Sequence, residues 1–392
     1  ISYTKAIRSF FMEIYVVRPG DTIDSIAAST SADTASLIYY NQLAYPYALA
    51  IGQALLIPVP GENPSRYPAY TNGYAYPFIS DDTLEETLPY LSTLSVFSYG
   101  FTEEGALLPP ALDDSFMIEA SVSAGTSPVL TLTPLGPDGL FNNNLITALV
   151  NNEEAVSRLL TELLETLSQK GFQGVDIDFE YILPTDRVAF ADFVSLTRQT
   201  LSSYGYFVSV ALAPKTSDDQ AGLLYAGKDY GLLGQAADSV LLMTYEWGYT
   251  YGPPMAVAPI NKVREVVDYA VTRIPPSKID LGIPNYGYDW TLPYERGKSR
   301  ARTLGNLEAV ELAVSEGVPI SFDETAMSPY FFYEKDGLTH EVWFEDVRSY
   351  REKFSLLPLY GLRGLGIWQI MRLFRPGLLL MEDTLEILKR NG

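Results

Sequence analysis

From about residue 69 onward the chain alternates short apolar runs with stretches of helical periodicity, and this alternation limits the fold more than any other feature. The runs lie at 74–78, 94–99, 129–133, 174–180, 207–213, 239–245, 279–286 and 364–370. Between them, 153–170, 186–204, 259–273 and 304–317 place apolar residues three and four apart, on one helical face. Parallel strands need a long crossover, and a helix supplies it. Eight such units predict an α/β fold, a (β/α)8 TIM barrel with strands inside and helices outside. A doubly wound open sheet is the competing architecture, but no glycine-rich phosphate loop opens any of the runs. Residues 328–345 depart from the pattern. They are aromatic and alternating, and read as a small β-hairpin inserted before the last repeat.

The N-terminal part is organised differently. Tyr15-Val16-Val17 reads as a short strand and Pro19-Gly20-Asp21 as a turn. A short helix follows, with Asp21 or Thr22 placed to cap it, then a second at 34–41. The segment Ile51-Gly52-Gln53-Ala54-Leu55-Leu56-Ile57-Pro58 gives a turn and a second strand. This βααβ string carries Y-x-V-x-x-G-D-T-I-x-x-I-A from Tyr15 to Ala27, N-x-L from Asn41, and I-G-Q-x-L-x-I-P from Ile51. On those motifs residues 12–60 resemble a LysM domain, which implies binding of glycans that contain N-acetylglucosamine. A small cap on the barrel with no ligand is the plainer reading. Residues 61–68 are rich in Pro, Asn and Ser and read as a linker, leaving 69–392 for the barrel. The run 1–11 has two basic residues but no long apolar core and no small-residue cleavage site. It does not read as a signal peptide, and Met12 is the expected natural start, with 1–11 as an extension.

Composition removes several function classes. A net charge of −21 repels phosphate-rich partners, so nucleic acid is not expected as a ligand. The absence of cysteine rules out thiolate metal sites, and a single histidine, His340, argues against histidine-based triads and multi-histidine metal sites. No stretch approaches the ~18 apolar residues that span a bilayer.

The chemistry concentrates in Gly174-Val175-Asp176-Ile177-Asp178-Phe179-Glu180-Tyr181. Side chains alternate along a strand, so Asp176, Asp178 and Glu180 project together and Val175, Ile177 and Phe179 project oppositely. In a barrel the apolar set packs under the helices and the acids face the axis. Three inward carboxylates are costly unless hydrogen-bonded or sharing protons, so a purely structural arrangement is disfavoured. Without histidine such a set would suit Mg²⁺ or Ca²⁺, but a strand lacks the turn-like ligand spacing. Like-charge crowding is expected to raise the pKa of Glu180, which then donates a proton at the C-terminal, catalytic face of the barrel.

The segment from Gln173 to Glu180 resembles the D-x-x-D-x-D-x-E strand of glycoside hydrolase family 18, the chitinase-like barrels. Leu242-Met243-Thr244-Tyr245-Glu246 resembles the family's M-x-Y-D on the sixth strand, and Trp368 falls on the eighth, where the family places a sugar platform. Ala211-Leu212-Ala213-Pro214-Lys215-Thr216, Thr244-Tyr245-Glu246-Trp247-Gly248 and His340-Glu341-Val342-Trp343-Phe344-Glu345-Asp346 are similar to the branch that degrades spore-cortex fragments. The resemblance implies a retaining, substrate-assisted mechanism without a protein nucleophile. Glu180 protonates the leaving oxygen, and the substrate's acetamido carbonyl attacks the anomeric carbon to give an oxazolinium ion. Asp178 orients the acetamido N–H, and Tyr245 holds its carbonyl in line. N-acetylglucosamine must then occupy subsite −1, because muramic δ-lactam lacks the N-acetyl group. Two positions depart from the family pattern: Gln173 replaces its first acid and Glu246 its M-x-Y-D aspartate. Both read as tuning.

Beyond these, Asp176, Glu246, Trp368, Trp247 and Tyr288 are candidate substrate contacts, and Trp290 is equally placed for cleft or core. Phe97 and Tyr99 are weaker candidates. Lys215 is placed either to touch substrate or to pair with an acid, and His340, near a polar turn, is expected to be solvated. No cofactor or metal is implied. The resemblance implies a monomer acting on peptidoglycan, spore cortex fragments or chitin, located at the spore coat, cortex or cell wall. A chitinase and a silent, lectin-like glycan-binding protein are the alternatives.

Overall fold

The computed structural model describes residues 10–61 and 65–390. The reading of 1–11 thus falls mainly outside the described residues, although Phe11 already belongs to a strand and pairs with Val59. Part of the 61–68 linker is likewise outside, and its end is already strand.

Eight parallel strands close into a barrel: β1 (Tyr67–Ala75), β2 (Thr93–Phe101), β3 (Ser127–Leu132), β4 (Gly174–Ile177), β5 (Phe207–Leu212), β6 (Ser239–Leu242), β7 (Ile279–Pro284) and β8 (Gly364–Trp368). Each pairs with its neighbour, and β8 returns to β1 in the register Gly364↔Tyr70 to Ile367↔Gly73. Helices such as Glu153–Lys170, Arg187–Ser202 and Val347–Tyr360 wrap the outside. Val175, Ile177 and Phe179 are fully buried under this layer, and the Phe179 ring packs on Phe101, Phe190 and Phe193. The predicted parity of the acidic strand therefore holds.

The boundaries differ in an informative way. β1 starts earlier than the expected run because its first half is polar. Asn72 accepts from Thr93 at 2.8 Å and donates to Ser95 at 3.0 Å, hydrogen bonds that a hydropathy pattern does not register. β4 and β6 stop short of the expected 180 and 245. At the open mouth the backbone runs on extended after the last ladder bonds, Asp178 N–H to Leu132 O and Met243 N–H to Leu212 O, both 2.9 Å.

The hairpin before the last repeat is present as Ser328–Lys335 paired with Leu338–Trp343. It lies within a five-stranded antiparallel sheet completed by Gly287–Thr291, Arg302–Leu304 and Ser321–Asp323. Helix Asn306–Glu316 packs on that sheet around Phe331, Val342 and Phe344. Gly287–Thr291 follows β7 so closely in sequence that it reads as a continuation of that strand.

The N-terminal module pairs strand Phe10–Val16 with Ala54–Pro60, antiparallel, around helices Ile23–Thr30 and Thr34–Tyr40. Thr22, rather than Asp21, caps the first helix, accepting from Ser25 N–H at 3.1 Å. The module is seated on the barrel. Arg375 donates through its backbone to Gln42 and through its guanidinium to the Tyr39 carbonyl, 4.1 Å above the Tyr39 ring. Ile320 N–H donates to Ile51 O at 2.8 Å, and Arg348 to Gly52 O at 3.2 Å. Gly52 is required twice over: its φ is 82°, and a Cβ there would lie 1.9 Å from the Ile320 carbonyl oxygen.

Candidate active site

A cleft of about 570 Å³ opens at the C-terminal mouth of the barrel. Asp178, Glu180, Tyr245, Glu246, Trp247 and Trp368 all line it. Three strand ends thus bring together residues that are far apart in sequence, as this face of a barrel does.

Asp176 is the deepest of the acids, 1% exposed. Tyr74 on β1 donates to one of its oxygens at 2.8 Å and Ser209 on β5 to the other at 2.6 Å. Both oxygens are therefore held within the barrel, and Asp176 is a support beneath the cleft wall. Asp178, one pleat further out, is also buried, but its Oδ1 has no hydrogen-bond partner. Burial, then the neighbouring Glu180 and Asp176 carboxylates, push its pKa well up, and the Lys228 ammonium opposes that rise. Asp176 is raised as well, by burial first. Glu180 stands at the exposed rim, where a leaving group can reach it. The Gln173 side-chain amide donates to the Gly171 carbonyl in the turn before β4, away from the acid cluster.

Tyr245 is buried, and desolvation, with Asp178 and Glu180 next, drives its hydroxyl pKa far up, so it keeps its proton as a donor. Its ring fits because β7 carries glycine opposite: a Cβ on Gly282 would meet Tyr245 Cε1 at 2.9 Å. Glu246 follows with φ 68°, a left-handed conformation that costs energy in a residue with a Cβ. Its carboxylate accepts from Tyr286 at 2.6 Å and Tyr288 at 2.8 Å. Tyr288 is therefore behind the wall as a clamp on Glu246, and it does not line the cleft.

Trp368 closes one side, with ring centroids 5.0 Å from Phe97, 5.5 Å from Tyr74 and 6.3 Å from Tyr76. The opposite rim carries Tyr181, Tyr225 and Tyr249, which the sequence reading did not single out. Their only signal was position after β4, β5 and β6.

Other candidates resolve differently. Trp290 is core, 1% exposed, with its indole N–H on the Gly252 carbonyl. Tyr99 points away from the axis and donates to Asp114 at 2.6 Å. Lys215 is buried, and its ammonium donates to the backbone carbonyls of Lys228 and Asp218. His340 is only partly exposed. It stacks on Tyr333 at 4.5 Å and its Nδ1 is 2.9 Å from Asp289, because Leu338–Trp343 carries it past the polar turn into the inserted sheet. Among the described residues, no group of three or more His, Cys, Asp or Glu side chains is arranged to hold a metal ion.

Comparison with known proteins places the family and the fold. The family model "Glycosyl hydrolases family 18" matches residues 139–372, and the LysM domain model matches 15–58. A cortical fragment-lytic enzyme of Bacillus subtilis (strain 168) is 37% identical, over 97% of this chain and 99% of its own. The crystal structure of the Bacillus megaterium QM B1551 spore cortex-lytic enzyme SleL superposes with a TM-score of 0.90 at 32% identity, covering 97% of this chain and 100% of that one. Its Bacillus cereus counterpart gives a TM-score of 0.92 at 29% identity, covering 97% and 99%.

Proposed function

The chain belongs to glycosyl hydrolase family 18 and is a glycosidase, and from that premise we propose that it cleaves spore-cortex peptidoglycan fragments as an N-acetylglucosaminidase. The observation that carries this reading is the convergence of Glu180, Asp178 and Tyr245 on one cleft with Trp368 across from them. Glu180 at the rim donates its proton to the glycosidic oxygen. Asp178, whose buried Oδ1 has no hydrogen-bond partner, accepts the acetamido N–H and offsets the charge that develops on it. Tyr245 donates to the acetamido carbonyl and holds it in line with the anomeric carbon. Glu180 then takes a proton from water, and the configuration is retained. Trp368 supplies an apolar face for the −1 sugar. The chemistry needs an N-acetyl group at −1, so cortex is cut after N-acetylglucosamine and not after muramic δ-lactam. The N-terminal module holds the enzyme on glycans containing N-acetylglucosamine, at the spore or cell wall.

The test is release of reducing ends from cortex fragments by the wild type and by Glu180→Gln. The variant is expected to lose activity by at least about a hundredfold, and the wild-type products, identified by mass, to end in reducing N-acetylglucosamine. Undiminished release by the variant sinks the assignment. Preferential turnover of chitin oligomers transfers the reading to a chitinase.

A further inference from the structure

Lys228 takes no part in the chemistry described above, yet it lies in the same neighbourhood. It is fully buried, and among the described residues its ammonium makes one hydrogen bond, to the Ala211 carbonyl at 3.2 Å. An ammonium has three donors, so burial here leaves most of its capacity unused. Ala211 itself lines the cleft, and because Ile177 on β4 pairs with Val210 on β5, Ala211 and Asp178 are the next residues on these two neighbouring strands. The segment carrying Lys228 is pressed against the chain that leaves Glu180: a Cβ on Gly227 would lie 2.0 Å from the Ile182 carbonyl oxygen. Lys215 fixes it from the other side through the Lys228 carbonyl at 2.8 Å. A buried cation without a direct ion pair is expensive unless negative charge lies nearby. The nearby negative charges are Asp178 and Glu180, with Asp178 the nearer in effect.

We infer that Lys228 is a positioning residue for the acid pair, its buried ammonium favouring the ionised form of Asp178 and so setting the pH range over which the pair works. The inference rests on the assignment of those two acids given above. Burial draws the Lys228 ammonium pKa down, while Asp178 and Glu180 push it up. Reciprocally, the ammonium pulls Asp178 down against desolvation, Glu180 and Asp176. The other titratable groups around the pair are Tyr74 on β1 and Tyr76 just after it, Asp176 on β4 and Tyr181 after it, and Tyr245 and Glu246 after β6. None of these is a cation, so among the groups that act on Asp178 the lysine alone favours its ionised form.

Removing the positive charge raises the Asp178 carboxyl further. In Lys228→Gln, which can still donate to the Ala211 carbonyl, the acidic limb of the kcat/KM profile on a chromogenic N-acetylchitobioside moves up by about one pH unit. Activity at pH 7 falls about tenfold, and Lys228→Arg stays on the wild-type profile. A folded Lys228→Gln with an unmoved acidic limb, or a Lys228→Arg shifted as far as the glutamine variant, overturns the inference. If neither variant folds, ¹³Cε NMR of the lysines is recorded in wild type and in Glu180→Gln. The Lys228 midpoint must drop in the latter, and an unchanged midpoint overturns the inference equally. Full activity of Glu180→Gln would instead overturn the acid assignment itself.

Discussion

Asp178 carries a cost that its position makes unavoidable. Its carboxyl is buried beside two others, and its pKa is raised above the unfolded value. The unfolded chain therefore releases this proton at lower pH than the native one, and stability falls as pH rises from about 4 through the raised value. Asp178→Asn is expected to melt about 2 °C above wild type at pH 8, with the difference closing toward pH 4, while activity is lost. Equal midpoints at both pH values would show that Asp178 is not held against its charge. Tyr245→Phe removes one donor to the reacting group and should lower kcat by about a hundredfold, leaving the melting temperature within a degree or so. Asp178, Glu180 and Tyr245 were legible in the sequence because each sits in a short motif whose parity survives folding. Lys228 and Tyr74 were not, since a residue contributed by a different strand or loop leaves no local spacing to read. His340 was misread for a related reason: the adjacent turn is polar, but the strand that follows carries the ring into a packed sheet.

At the scale of elements, the loop after β6 shows how one extra methylene is used. Glu246 in a left-handed conformation reaches a pair of tyrosines, Tyr286 and Tyr288, at the far end of β7 and on the first inserted strand. Glu246→Asp tolerates the backbone but withdraws the carboxylate from that clamp. A rise in KM of roughly tenfold with a smaller change in kcat is expected, measured on defined oligosaccharides. An unchanged KM would mean that the clamp is not part of the sugar site. The inserted sheet was only half legible. Its central hairpin alternates cleanly, whereas Arg302–Leu304 and Ser321–Asp323 are too short to carry a period. Helix Asn306–Glu316 has ordinary amphipathic periodicity, which does not say whether it covers the barrel or the insertion.

The whole molecule is a barrel with its N-terminal module seated on it, and the seat explains why the module's boundary was clear but its placement was not. The turn at Gly52, the caps and the small core of Ile23, Ile26, Leu37 and Leu55 are local. The contacts of Arg375 and Arg348 join residues some 300 positions apart, which no sequence window spans. Scanning calorimetry of the wild type should show the module unfolding with the barrel. In Arg375→Ala, which gives up the Tyr39 carbonyl and ring and the Glu86 ion pair, a separate transition about 5 °C lower is expected. A single unshifted transition would show that the seat contributes nothing.

That seat also decides how the enzyme meets a solid. A catalyst on a slack leash searches a sphere around its anchor, cutting wherever the leash allows. Here Ile51, Gly52 and Tyr39 face the barrel surface rather than a long hinge. The offset between the module and the cleft is thus a fixed vector, like the spacing between a ruler's edge and its blade. With the module gripping the glycan as proposed above, such a device would cut at one repeat distance from its foothold on an ordered lattice, and would have to let go before cutting elsewhere.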